Sequence, residues 1–176
     1  PTLLIAVVMA GFALCKYYSN SAVNEITGET QHISMSPEQE IALGLQSAPE
    51  MAQEMGGLSN NRQAAEIVKR VDKKSSKFGA AKTPYQYDFH LLADPNTINA
   101  FALPGGQVFI TEGLLVRLTT DGRSLDEDML AGVLGHEIGH VVARHSAEKM
   151  SQMELAQGIT GAVTMATYDP NNPNSA

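Results

Sequence analysis

Apolar and polar positions change rhythm several times along this chain. Residues 3–14 are an uncharged run rich in Leu, Ile, Val and Ala that ends at Cys15. A run of this length is too short to cross a bilayer, which takes about 20 residues, and it suits the apolar region of a secretory signal. Residues 17–35 are polar, carry a turn signal at Thr27-Gly28, and read as a short extended or hairpin segment. Ser36 is a good N-cap, Pro37 fits the first helical position and Gln39 completes a capping box, so a helix is expected from here. Ile41, Leu45, Ala48 and Met55 would form its buried stripe, Pro49 would kink or break it, and Gly56-Gly57 would stop it. A second helix is expected from Asn61 to about Phe78, with Ala64, Ile67, Val68 and Val71 at helical spacing and Gly79 at its C-terminal end.

The period then changes to two. Tyr85, Tyr87, Phe89 and Leu91 alternate with Gln86, Asp88, His90 and Leu92, the pattern of a half-buried strand. Asp94-Pro95-Asn96 is a turn. Two short apolar runs, 98–103 and 107–111, are joined by Pro104-Gly105-Gly106, which is a hairpin-like signature. A further helix is expected to start near Ser124, capped with Glu127, and to run to about Ser151 or beyond. Leu130, Val133, Leu134, Ile138, Val141 and Val142 make it apolar over much of its circumference, as in a buried helix. Gly132, Gly135 and Gly139 each cost roughly 1 kcal/mol there relative to Ala, which suggests that a strand or a substrate backbone approaches closely. Residues 169–176 form a turn-rich tail.

Length and charge narrow the classes. A chain of 176 residues can bury one core. Its net charge of −7 argues against nucleic-acid binding. Lys69-Arg70 with Lys73, Lys74 and Lys77 reads as the solvated face of a helix. The single cysteine, Cys15, excludes an intrachain disulfide. An apolar run ending in Cys resembles a bacterial lipoprotein signal, although Leu14 stands where a small residue is usual. The expected organisation is therefore a signal or lipid-anchor segment at 1–15, an extended segment at 16–35, and one domain over 36–176. Export to the bacterial cell envelope, with a periplasmic location, membrane association through the N-terminal segment and lipid attachment at Cys15, is the corresponding expectation.

The chemistry is concentrated in His136-Glu137-Ile138-Gly139-His140. Histidines four apart on a helix lie about 40° apart around the axis and one turn apart along it, so both can reach one metal ion. Glu137 between them is close enough to act as general base on a water bound to that ion. Two His and a Glu have no packing rationale inside an otherwise apolar helix. A catalytic zinc needs a third protein ligand. On a continuous helix Glu148 lies about 12 Å beyond His140 and roughly 80° away around the axis. His145 lies roughly 140° around and faces elsewhere, as a polar or outer-shell residue. Glu154 could return only through a sharp turn that the sequence does not signal. His32 and His90 are isolated and read as surface or strand residues.

The segment HEIGHVVARHSAEKM (136–150), preceded by NAFALPGGQVFITEGLL (99–115), resembles the HtpX/BepA/Oma-like zinc metallopeptidases, peptidase family 48 of the metallo class. YQYDFHLLADPNTINA (85–100), EIALG (40–44) and the EITG turn extend the likeness to the exported bacterial members. The resemblance implies an α+β, gluzincin-like fold with a small mixed sheet packed on a long buried HExxH helix and an otherwise largely helical chain. It implies one Zn2+ per chain on His136 and His140, with Glu137 catalytic, and a third ligand that is a glutamate on a later helix, past Ala176, so that the domain is incomplete at its C-terminus. It also gives Asn99, Ala100, Phe101, Ala102 and Leu103 a role in binding the backbone of an unfolded or extended polypeptide. The implied activity is endopeptidase cleavage of damaged or misassembled envelope proteins. The alternatives are a non-catalytic, chaperone-like module that holds extended chains on the 99–111 hairpin, and a non-peptide amidase, which the edge-strand motif disfavours.

Overall fold

The computed structural model describes residues 2–75, 82–120 and 124–168. They fall into two compact units, Met35–Ser146 and the described parts of Pro1–Ser34 with Ala147–Ala176. The architecture is α+β, as the sequence predicts.

The unit of Pro1–Ser34 and Ala147–Ala176 holds α1 (Thr2–Ser19), a two-stranded antiparallel hairpin of β1 (Ser21–Val23) and β2 (Thr30–His32), and most of the last helix. The apolar run is thus part of an 18-residue helix that takes in Tyr17 and Tyr18, which were expected in the extended segment. Asn24 makes the hairpin turn, its Oδ1 accepting from the backbone N–H of Ile26 (2.9 Å) and Thr27 (3.1 Å), with Gly28 at φ 74°. His32 stacks on Tyr17, ring centroids 4.4 Å apart, in the structural role expected of it.

In the unit Met35–Ser146, α2 (Pro37–Glu54) starts on the capping box read from the sequence. Gln39 N–H donates to Ser36 Oγ (3.3 Å), and Ser36 N–H donates to Gln39 Oε1 (2.8 Å). Pro49 does not break α2 into two helices; it lies with Leu45 on the exposed side, where water can take the carbonyl that a proline leaves unpaired. The expected apolar stripe holds in part: Ala48 and Met55 pack on the cluster of Ala52, Leu92 and Phe109, but Leu45 does not belong to it. Leu45 is 56% exposed, whereas Glu40, Gly44 and Ala52 are buried. The cause is the turn Pro104–Gly106, which sits on this face. A Cβ at Gly44 would stand 2.0 Å from the Pro104 carbonyl oxygen, and one at Gly105 (φ 80°) would stand 2.4 Å from Cα of Ile41. Helix α3 (Arg62–Ser75) is capped by Asn61, whose Oδ1 accepts from Ala64 N–H (3.1 Å). Its Val68 and Val71 are fully buried, while Lys69 and Arg70 are exposed and paired with Asp88 and Glu127, as a solvated face should be. The expected stop at Phe78-Gly79 lies outside the described residues.

The central sheet has the order β3 (Asp88–Leu92), β5 (Gln107–Thr111), β4 (Ala100–Ala102). β3 runs parallel to β5, and β4 pairs antiparallel with it as the hairpin predicts, Ala100 opposite Ile110 and Ala102 opposite Val108. β3 is shorter than its alternating pattern. Leu92, on the polar phase, is fully buried because it packs with Ala52 and Phe109 on the second face of the sheet. Thr111 ties this region together. Its buried hydroxyl donates to Thr97 C=O (2.6 Å) and accepts from the N–H of Asn99 (3.1 Å) and of Leu114 (3.3 Å), the latter capping α4 (Glu112–Arg117). Thr111→Val removes all three part-buried hydrogen bonds, including the cap of α4. A loss of about 1–3 kcal/mol in unfolding free energy is expected, measurable by urea denaturation.

After α4, β6 (Thr119–Thr120) pairs with β7 (Ser124–Leu125). That pairing moves the next helix start. Ser124 is spent in a strand, so α5 (Glu127–Val142) is capped instead by Asp126, whose side chain accepts from Asp128 N–H and Met129 N–H. α5 buries Leu130, Leu134, Ile138, Val141 and Val142, four of them in a core with Val68, Val71, Phe89, Leu91, Val108 and Ile110. The helix does not run on to Ser151. It stops at Val142, Arg144 takes φ 54°, and a new helix, α6 (His145–Thr167), begins.

Candidate metal and peptidase site

Helix α5 carries His136 and His140 on the side of its circumference away from the core, with Glu137 about 100° around from His136, at the margin of the buried face. His136 is exposed, and Glu137 and His140 are half-buried. The Nε2 atoms of His136 and His140 stand 3.0 Å apart, with the ring planes at 84°. Two nitrogens bound to one tetrahedral zinc at about 2.0–2.1 Å each stand about 3.3 Å apart, so the two imidazoles already converge as a zinc ion requires. Burial pushes the Glu137 carboxyl above the usual carboxylate range, with His140 and then His136 pulling the other way. That is the direction wanted of a proton-accepting carboxylate.

No third ligand joins the pair: among the described residues, no group of three or more His, Cys, Asp or Glu is arranged to hold a metal. Glu148 accepts from Gln31 Nε2 (3.2 Å), and Glu154 pairs with Lys16 (2.9 Å), each inside the other unit. His90 is fixed by Gln107 Oε1 (2.8 Å) and stacked on Phe109, a strand residue as expected. His145 does not face away. Its Nδ1 lies 2.7 Å from Nδ1 of His140, because the chain turns at Arg144 instead of continuing as one helix.

The turn itself rests on residues that the motif search passed over. Arg144 donates through Nε (2.7 Å) and through Nη2 to Oε1 of Glu40, and through Nη2 to Met35 C=O (2.7 Å). Tyr85 Oη donates to the second oxygen of Glu40 (3.1 Å). Glu40 is 1% exposed. Burial pushes its carboxyl up, against the pull of the Arg144 guanidinium and the Tyr85 hydrogen bond. Burial also raises the Tyr85 hydroxyl, and the Glu40 charge adds to this, so Tyr85 stays a donor. The one sequence signal for this cluster was the EIALG stretch, where a charged residue opens an otherwise apolar run.

Gly132 and Gly139 lie about 40° and 60° around the axis of α5 from His136, and Gly135 about 100° from it. All are exposed, and a Cβ at any of them would meet nothing within 4 Å. No described element therefore approaches them, so of the two neighbours expected there, a strand or a substrate backbone, the strand is not found. The strand α5 packs against is β4. β5 lies between two neighbours, whereas β4 is at the sheet edge. Thr111 N–H donates to Asn99 C=O (3.0 Å) and Leu103 N–H to Gln107 C=O (2.8 Å). By the alternation of an antiparallel ladder, Asn99, Phe101 and Leu103 spend their backbone groups on β5, while those of Ala100 and Ala102 point to the open edge.

Similarity to known proteins agrees with this arrangement. Residues 59–172 match the family model described as Peptidase family M48. The mitochondrial metalloendopeptidase OMA1 of Schizosaccharomyces pombe is 50% identical over 66 residues, 38% of this chain and 18% of that protein. The human mitochondrial metalloendopeptidase OMA1 is 42% identical over 64 residues, 36% of this chain and 11% of that protein. The β-barrel assembly-enhancing protease of Escherichia coli is 32% identical over 100 residues, 54% of this chain and 19% of that protein. The chain thus spans about a fifth or less of the length of these relatives. The family match takes in both the edge strand and the His136–His140 helix, and on it the chain belongs to peptidase family M48, a family of metallopeptidases.

Proposed function

We propose that this protein is a zinc-dependent metalloendopeptidase that cleaves damaged or misassembled proteins of the bacterial cell envelope. The observation that carries the reading is the convergence of His136 Nε2 and His140 Nε2, 3.0 Å apart, on the helix that also bears Glu137, whose carboxyl burial pushes up. His136 and His140 would hold one zinc ion, with a third protein ligand completing the site. Zinc, when bound, supplies Lewis acidity that polarises a scissile carbonyl and makes water more acidic. Glu137 takes the proton from the attacking water and returns it to the leaving amine. Asn99 to Leu103 orient the substrate. An extended polypeptide pairing with the open edge of β4 uses the outward backbone groups of Ala100 and Ala102, and the bare glycine side of α5 leaves room for its main chain.

The likeness to the β-barrel assembly-enhancing protease favours unfolded envelope proteins as substrates. The N-terminal helix favours export and attachment to a membrane on the periplasmic side. α1 is long and apolar enough, by length and composition, for a membrane span or a signal segment near the N-terminus, and Cys15 on it is exposed.

The test is made on the full-length protein. One zinc per chain, cleavage of an unfolded polypeptide, loss of cleavage with a chelator and recovery with zinc are expected. A protein that carries no stoichiometric zinc yet still binds unfolded chains overturns the peptidase reading, and favours a chaperone-like module that holds extended polypeptides on the 99–111 hairpin.

A further inference from the structure

The corner between α5 and α6 has an unusual construction. Arg144 is the only non-glycine residue with positive φ among those described, at 54°. A left-handed Arg costs roughly 1–2 kcal/mol, and no Gly or Asn is used to avoid it. The side chain explains the choice: only the long guanidinium reaches both Glu40 and the Met35 carbonyl from this position. The conformation it enforces ends α5 and turns the next residue back on the helix it has just left. On a continuous helix His145 would sit roughly 140° around from His140. Here the two Nδ1 atoms are 2.7 Å apart and the rings meet edge-on, centroids 5.0 Å apart.

Only one proton assignment suits this contact if Nε2 of His140 is to bind a metal. Nε2 must then offer its lone pair, so Nδ1 of His140 carries the hydrogen and donates it. Nδ1 of His145 accepts, with its own hydrogen on Nε2. We propose that His145 is a positioning residue for His140: it accepts the Nδ1–H of His140, fixes that ring's tautomer and orientation, and so raises the affinity of the site for zinc. Metal-bound histidines usually have a carboxylate or backbone carbonyl in this position; here an imidazole delivered by the Arg144 turn takes it. The inference rests on the zinc-site reading given above.

The experiment is chelator competition for zinc on the full-length protein and three variants. His145 is exposed, so its replacement leaves the core intact. His145→Ala is expected to weaken zinc binding about 10–100-fold. His145→Asn, whose amide oxygen reaches about as far from the backbone as Nδ1, should bind within a few-fold of the parent. His145→Gln, whose amide lies one bond further out, should resemble Ala. A parent that binds no zinc overturns the peptidase reading together with this assignment. A zinc-binding parent matched by His145→Ala overturns this assignment alone. Equal weakening by Ala and Asn, with one nitrogen lost from the zinc shell by X-ray absorption, also overturns it, in favour of direct ligation by His145.

Discussion

Glu137→Gln is expected to lower peptide cleavage by about 10²–10⁴-fold while leaving zinc content unchanged. The substitution keeps the length and shape of the side chain and removes only its ability to take a proton. Glu137 is half-buried, and burial has already raised its carboxyl toward the range where a base both accepts and returns a proton readily. Its two neighbours in the motif, not Glu137 itself, present the convergent nitrogens, so the metal should stay. Turnover of an unfolded substrate, set beside zinc per chain from elemental analysis, reads both halves. Undiminished cleavage by the Gln variant would remove Glu137 from the chemistry. Loss of zinc together with activity would make it a ligand rather than a base.

What the sequence discloses about this site is set by the range of the interactions that build it. The capping box at Ser36, the hairpin through Pro104-Gly105-Gly106 and the pairing of His136 with His140 involve residues a few positions apart, and periodicity or turn chemistry reports them directly. The misreadings share the opposite property. Ser124 followed by Glu127 satisfies a capping pattern, but Ser124 pairs in β7 with β6, and Asp126 caps the helix. The stripe expected on α2 is wrong at Leu45, and misses Glu40 and Gly44, because its buried face is shaped by Pro104 and Arg144, both far along the chain. The end of α5 is the sharpest case. Nothing between Val141 and Ser146 is a helix breaker by propensity. The break comes from the Arg144 guanidinium satisfying a carboxylate 104 residues away. The position of His145, and with it the surroundings of His140, follows from that long-range pair.

The same pair sets the largest expected effect on stability. Arg144→Met keeps an unbranched apolar stem but removes the guanidinium, which strips Glu40 of its cation and leaves Tyr85 as the partner of a carboxylate that is 1% exposed. Breaking a buried pair in this way costs about 3–5 kcal/mol, because the remaining charge has lost its compensation. Glu40→Met should cost less, since the Arg144 side chain is 22% exposed and can turn to water. The double variant should be less destabilised than Arg144→Met alone, because replacing both partners leaves no buried charge behind. The dependence on pH has a definite sign. Burial holds the folded-state pKa of Glu40 above its ordinary value, and Arg144 opposes that rise. Removing Arg144 raises it further. A carboxyl whose pKa is higher in the folded state favours folding below its unfolded pKa, and that advantage is lost as pH climbs through the folded value. The deficit of Arg144→Met relative to the parent should therefore be smallest in acid and widen as pH rises through the raised pKa of Glu40. Urea unfolding of the parent, both single variants and the double variant across that pH range measures this. A deficit that is flat with pH, or a double variant as unstable as the sum of the singles, would mean that Glu40 and Arg144 are not the coupled pair that holds this corner.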